Sequence, residues 1–353
     1  MTIRFRKEVR FAELLTPLRN YEPEKQVVEH RYDPLTERTT VVTAGRFQYV
    51  KRNFESDEQI VSSIAESTKA VCPFCPSQLE RSTPRFPSRI VPEGNIVVDD
   101  VVLFPGLFAH MDFNAVAVLG KEHYLPPKMI APEKVYSAFR AGLAYLKRLR
   151  ESRPEVLYAS YAGNYFPLSG STIIHPHMHV LASDLPLQLQ KELLDRSREY
   201  LSKQGSNYWL DLINEEEGGE RFVGSIEDTV WLTPFAPSST YEVWAISRSF
   251  SDFLDIGEEG FRPFAEGLAR VLRFYQEERL SCFNFALYSG PIGEDSDEYF
   301  RMGLRVLGRF GYKPPYVSDI WSLQAILMEG EAYDTPENMA QRLKKHFTEE
   351  QRT

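Results

Sequence analysis

The chain has 353 residues, of which 42% are hydrophobic, 26% charged and 13% aromatic, an ordinary globular composition long enough for two core-forming units. A net charge of −9 argues against a nucleic-acid coat or an anionic membrane surface as main partner. Met1 to Tyr21 lacks the apolar stretch of a signal peptide, no apolar run reaches spanning length, and three cysteines make no disulfide framework, so the expectation is a protein of the reducing cytoplasm.

In chain order, a polar leader gives way at Asp33-Pro34, which reads as a turn, to a β-branched strand ending in Val41-Val42. A basic stretch from Arg46 to Arg52 follows, and residues 53 to 70 read as a polar surface excursion. Beyond the pair Cys72-Pro73-Phe74-Cys75 the expected order is strand (Asn95 to Phe104), strand (Ala115 to Leu119), helix (Glu133 to Glu151) and strand (Val156 to Tyr161). The helix carries Val135, Phe139, Leu143 and Leu146 at helical spacing after a proline start. Next comes Gly170-Ser171-Thr172-Ile173-Ile174-His175-Pro176-His177-Met178-His179-Val180. Alternate residues of a strand share a face, so His175, His177 and His179 form one row of imidazoles with Ile174, Met178 and Val180 behind.

The same order returns roughly 125 residues later. Ala115-Val116-Ala117-Val118-Leu119 recurs as Glu242-Val243-Trp244-Ala245-Ile246, and Ala141-Gly142-Leu143-Ala144 as Glu266-Gly267-Leu268-Ala269 in a helix from Glu258 to Glu278. Tyr161-Ala162-Gly163 recurs as Tyr288-Ser289-Gly290, and His179-Val180-Leu181-Ala182 as Arg305-Val306-Leu307-Gly308. A duplicated α+β unit follows, with antiparallel sheets and helices packed on them: residues 1–190 hold the chemistry, and residues 191–353, lacking the histidines, serve as scaffold or specificity surface. From Val317 to Arg342 a helical apolar pattern (Ile320, Leu323, Ile326, Leu327) precedes a second helix start at Thr335-Pro336; Lys344 to Thr353 reads as a frayed end. Cys282 reads as a buried thiol, and His30 and His346 as surface residues.

Cys72 and Cys75 have the spacing of a zinc knuckle, and His110, His123 and His175 are the candidates to complete it; a buried pair of free thiols is the alternative. A neutral imidazole can attack phosphorus and carry the group as a phosphoramidate, provided its other ring nitrogen is tied as a donor. The middle histidine, His177, is placed for this. Gly170, Ser171 and Thr172 offer N–H and hydroxyl donors to phosphate, with Asn164 on the loop before them. The competing reading is a hydrolytic metal site of His175, His177 and His179.

Together these marks resemble the galactose-1-phosphate uridylyltransferase branch of the histidine-triad (HIT) superfamily: Asp33-Pro34-Leu35-Thr36 with Arg46 downstream, Cys72–Cys75, Phe104-Pro105, Glu122-His123, Asn164 and His175-Pro176-His177. The resemblance runs from about residue 28 to the end. It implies two tandem HIT-like units and a homodimer with the site near the subunit boundary. It also implies a structural zinc ion on Cys72, Cys75, His123 and His175; His123, directly after a strand end, is preferred to His110. His177 would form a covalent nucleotidyl-histidine, with His179 and Thr172 stabilising charge. Arg46, Asn164, Gly170, Ser171 and Phe104 would contact the substrate. The implied activity moves a nucleoside monophosphate from a nucleotide sugar to a sugar phosphate or to phosphate. Resolution by water, giving a nucleotide or dinucleoside-polyphosphate hydrolase, is the alternative, and a silent nucleotide-binding protein the third reading. Departures from the family pattern are His179 where the transferases carry Gln, Val102-Leu103 where they carry Asn-Asp, and Asp319, Gln324 and Ala325 where they carry a cation, an aromatic and an acid. The second-half strand that can hold a further metal reads Glu298-Tyr299-Phe300-Arg301-Met302-Gly303, so no second metal is expected.

Overall fold

The computed structural model describes residues 3–348. The chain opens with a long hairpin, β1 (Arg6–Leu15) and β2 (Pro23–Tyr32), then β3 (Thr39–Val42) and helices α1 (Phe47–Phe54), α2 (Glu58–Lys69) and α3 (Pro76–Ser82). The first set of sheet strands is β4 (Ile96–Val98), β5 (Val101–Pro105), β6 (Phe113–Val118), β7 (Tyr158–Tyr165) and β8 (His177–Ser183), with α4 (Pro132–Ser152) between β6 and β7. Helices α5 (Gln188–Gln204) and α6 (Tyr208–Glu216) lead to β9 (Phe222–Ile226), β10 (Thr229–Leu232), β11 (Tyr241–Ser247), α7 (Arg262–Glu277), β12 (Phe283–Tyr288) and β13 (Gly303–Gly308). The chain closes with the single turn α8 (Ser322–Ala325), β14 (Gly330–Ala332), α9 (Pro336–Leu343) and α10 (Lys345–Thr348).

Ten strands form one sheet in the order β4-β5-β6-β8-β7-β12-β13-β11-β10-β9; β1, β2, β3 and β14 form a second. The large sheet reads the same from either end. β6 and β11, β8 and β13, and β7 and β12 hold matching places, and the two sets join where β7 pairs with β12. Matching helices α4 and α7 pack on one face. The Gly-Leu match between them has a steric cause: a Cβ on Gly142 would stand 2.7 Å from the Tyr161 ring, and one on Gly267 2.1 Å from Trp231, so both glycines let an aromatic ring of the sheet approach the helix axis. One match is out of register. Ala162 pairs with His179 as Ala286 pairs with Arg305, which aligns Tyr161 with Phe285, while Tyr288 lies opposite Ser160. The shared Tyr-x-Gly string is coincidental.

α4 forms as expected, with Pro132 in its first turn and Val135, Phe139, Leu143 and Leu146 buried; each such side chain contributes about 1.5–3 kcal/mol. The helix ends where Arg153 precedes Pro154. Several expectations are corrected. The polar leader is the β1–β2 hairpin, its charges paired across the strands, as in Lys7 with Glu29 and Lys25 with Glu13. Residues 53–70 include α2, capped by Asp57 and burying Val61 and Ala65, an apolar stripe diluted by Ser and Glu. The single strand from Asn95 to Phe104 is a tight hairpin, turned at Asp99 (φ 53°) and Asp100. Between Val317 and Arg342 the single turn α8 and the short strand β14 precede the second start, leaving Ile320, Ile326 and Leu327 exposed; the expected cap forms, with Thr335 accepting from Asn338 N–H. Cys282 is buried. His346 is not a surface residue: its ring meets Phe274 at 5.8 Å and its side chain is 9% exposed. The end of the frayed stretch, 349–353, lies outside the described residues.

The small sheet is tied to α9 by charge. Arg31, 2% exposed, donates two hydrogen bonds to Glu337 at 2.9 and 3.0 Å, and Arg221 adds a third at 3.0 Å. Burial pushes the Glu337 carboxyl up, but the hydrogen bond and charge of Arg31 outweigh it and hold the group below its usual range. Glu337→Gln is expected to cost about 2–3 kcal/mol at neutral pH, the buried-pair figure discounted for partial exposure. A depressed carboxyl contributes fully above its unfolded value of about 4.5 and loses that contribution as pH falls below it. Urea unfolding midpoints of wild type and variant should therefore converge below that pH; a gap that stays constant would refute the ion pair as its cause.

Candidate active site

Pairing places the histidines. His177 lies opposite Val118 and His179 opposite Val116, and directly paired residues share a face. That face carries Val102, Phe104, Val116 and Val118 on one side of the histidines and Ala162 and Asn164 on the other. Met178, Val180, Ala115 and Ala117 point the other way into the core. Helix α4 thus covers one face, and the row stands on the opposite one. His175 departs from the expected row: it precedes β8 and is fully buried, its ring on the thiol side.

Cys72, Cys75, His123 and His175 converge, their ligand atoms all within 4.8 Å of one another. Cys75 Sγ is 3.4 Å from His123 Nδ1 and 3.8 Å from His175 Nδ1; Cys72 Sγ is 3.9 Å from the latter. One tetrahedral zinc ion holds its ligand atoms about 3.3–3.8 Å apart. Both rings are turned to suit it. His175 Nε2 meets the Gly120 carbonyl at 2.9 Å and His123 Nε2 the Ala65 carbonyl at 3.0 Å, so each Nε2 carries the proton and each Nδ1 offers a lone pair to the centre. Burial lowers the pKa of both imidazoles, favouring the neutral, ligating form. Burial and the neighbouring Cys72 push the Cys75 thiol up to about 11, so two thiolates here call for a cation. The four residues fit a zinc ion. His110 does not belong to this set: it is exposed, with its ring 5.5 Å from His179.

His177 is oriented by the residue before the proline. Its Nδ1 is 2.7 Å from the His175 carbonyl, which can only accept, so Nδ1 bears the proton and Nε2 is bare. Burial lowers its pKa to about 4, the His175 carbonyl opposing and the charges of His179 and His175 assisting, and the ring is neutral at pH 7. Phe74, between the two cysteines, sets its edge against this ring at 5.2 Å and packs on buried Phe104 at 5.6 Å. His179 Nδ1 faces Asn114 Oδ1 at 3.4 Å, and Asn114 is held in that sense by donating to the Phe108 carbonyl.

The phosphate loop is more selective than its composition suggests. Gly170 N–H donates to Pro167 O, Ser171 N–H to Phe166 O and the Ser171 hydroxyl to Ile173 O. These groups shape the turn, and of the three residues only Thr172 has an exposed side chain free of such a bond. Arg46 is not brought to the histidine row. Its half-exposed guanidinium lies over Tyr333 (5.3 Å) and 4.0 Å from Glu331. Residues that the sequence did not single out are Phe74, whose signal was its place inside the cysteine pair, and Asn114 and the Gly120 carbonyl, which carry none. A groove of about 450 Å³ adjoins the site, lined by Phe74, Leu79, Val102 and Val118 and by charged residues including Arg85 and Asp100.

No protein-family model matches the chain. An uncharacterised protein of Archaeoglobus fulgidus is 29% identical over 347 residues, covering 98% of this chain and 99% of the relative. Among solved structures, an ADP-glucose phosphorylase from Arabidopsis thaliana with bound ADP-glucose superposes with TM-score 0.68 at 16% identity, covering 90% of this chain and 98% of that one. A galT-like protein from the same plant gives 0.67 at 15% identity with the same coverage. A uridylyltransferase gives 0.62 at 16% identity over 70% of this chain and 85% of that one. The chain has the galT-like fold that its motifs resemble.

Proposed function

We propose that the protein is a nucleotidyltransferase working by double displacement, with residues 1–190 carrying the chemistry. The observation that carries this reading is the tautomer of His177: neutral, with Nδ1–H on a carbonyl and Nε2 bare on the open face of the sheet. Nε2 attacks the α-phosphorus of a nucleotide sugar; the N–P bond forms as the P–O bond to the departing sugar phosphate breaks. Charge developing on the imidazole is stabilised through Nδ1–H by the His175 carbonyl. Thr172, His179 and the Asn164 amide hold the non-bridging oxygens. An oxygen of the incoming sugar phosphate or orthophosphate then attacks phosphorus, and Nε2 leaves unchanged. Zinc on Cys72, Cys75, His123 and His175 would supply structure, fixing the backbone that presents the carbonyl to His177. Arg46 belongs in this scheme only if a second chain brings it to the histidines. A homodimer suits the exposed Phe11, Leu15, Trp321 and Leu327, and reduced thiolates suit a cytoplasmic setting.

The base is read from the groove. Val102 presents an apolar wall where uridylyltransferases carry Asn, and the ADP-glucose phosphorylase shares the fold, so adenosine is favoured as the base and orthophosphate as the acceptor. His179 in the place of Gln supports the second reading, in which water resolves the intermediate. The test is intact-protein mass after incubation with UDP-, ADP- and GDP-sugars and alkaline quench. The expected result is a gain of one nucleoside monophosphate, which also names the base. Product analysis separates the outcomes: label exchange between sugar phosphates means transfer, nucleoside diphosphate formed with orthophosphate means phosphorolysis, and free nucleoside monophosphate means hydrolysis. A chain that gives neither adduct nor product is a silent binding protein.

A further inference from the structure

At the junction of the two halves, Asn284 of β12 stands directly opposite Asn164 of β7. Its amide belongs to a chain of hydrogen bonds whose ends admit one orientation only. Asp319 accepts from Arg309 Nε at 2.5 Å and Nη2 at 2.9 Å, and Arg309, which can only donate, sends Nη1 to Asn284 Oδ1 at 2.7 Å. The amide oxygen of Asn284 is thereby fixed toward Arg309 and its nitrogen toward the other side. There Nδ2 donates to the Ser169 carbonyl at 2.8 Å and to Asn164 Oδ1 at 2.6 Å. Carboxylate and carbonyl only accept and guanidinium only donates, so Asn284 cannot flip without facing like groups on both sides, and Asn164 cannot flip without setting its nitrogen against that of Asn284.

The consequence falls on Asn164. Its oxygen is taken by Asn284, so its own Nδ2 is turned away from the second half, and among the described residues no acceptor meets it. Asn164 shares a sheet face with His177 and His179. We propose that Asn284 is a positioning residue for the reaction. From the half without the histidine row it locks the Asn164 amide with both N–H bonds free for a phosphate oxygen. This assignment rests on the reading of His177 and Asn164 as the phosphate site.

Asn284→Asp tests it. The new carboxylate still accepts from Arg309 but cannot donate, so Asn164 turns its nitrogen toward it and withdraws that donor from substrate. The expected result is a 10- to 100-fold loss in the rate constant for adduct formation, read by mass on folded protein below the variant's thermal midpoint, which the carboxylate facing the Ser169 carbonyl lowers. In an Asn164→Ala background the same change should add no further loss, because Asn284 acts through Asn164. Asn284→Ser, which keeps one donor, should fall between the two and stands in if the Asp variant does not fold. A wild-type rate in either variant, or losses that multiply in the double variant, would overturn the assignment and leave the nucleophile intact. Absence of any adduct in the wild type would overturn both.

Discussion

Replacing His177 by alanine is expected to lower nucleotidyl transfer at least about 10⁴-fold, because in the proposed double displacement this ring carries the transferred group. His179 is the nearest alternative imidazole, 5.4 Å away between ring centroids. Its Nδ1 is oriented by Asn114 rather than by a rigid carbonyl, and it lies opposite Val116, one step further along the face. The variant should bind nucleotide with affinity close to wild type, since deleting the ring removes none of the donors from Asn164 or Thr172. The mass gain seen with wild type should vanish. An adduct that persists in His177→Ala, or a rate within tenfold of wild type, would mean that the nucleophile is elsewhere.

The second large effect is expected at the metal centre. Cys75→Ser should reduce bound zinc, read by elemental analysis, from one per chain to under a tenth, and lower the thermal midpoint by roughly 5–10 °C. Loss should be local at first: the 72–75 loop and the loop carrying His123 meet at this centre, and α2 reaches it through the Ala65 carbonyl and the Thr68 hydroxyl at His123 Nε2. Activity should fall with zinc, because His175 offers its ring to the centre and its carbonyl to His177. His110→Ala should leave zinc content unchanged. Zinc lost in His110→Ala and kept in Cys75→Ser would refute the ligand set.

Features with a short period and strong chemistry were legible in the sequence. The histidine strand announces itself by alternation, the cysteine pair by spacing, and α4 and α7 by apolar stripes between proline starts. The duplication was legible too, although a Tyr-x-Gly string matched out of register because short apolar strings recur freely in strands. What escaped was set by tertiary context. α2 hides its stripe among Ser and Glu, and the β1–β2 hairpin offers charges that find partners only across the strand pair. The helical pattern around Leu323 did not form a long helix: among the described residues nothing covers Ile320, Ile326 and Leu327. Within the site, Ser171 has the composition of a phosphate ligand but spends its hydroxyl on the turn. Asn114 and Asn284 are lone amides, and their roles follow from which group faces them, which no spacing encodes.

The seam between β7 and β12 has the geometry of two identical partners meeting edge to edge. Asn164 faces Asn284 and Ser160 faces Tyr288 about a local two-fold axis. Such contacts are self-complementary, as when a protein associates with its own copy. Joining the partners in one polypeptide replaces an encounter that depends on concentration by one that is always at hand. Once fused, only one member needs to keep the nucleophile, and the other is free to drift. In this chain the second half carries no counterpart of the histidine row, and its Asn284 amide still reaches across the seam to Asn164.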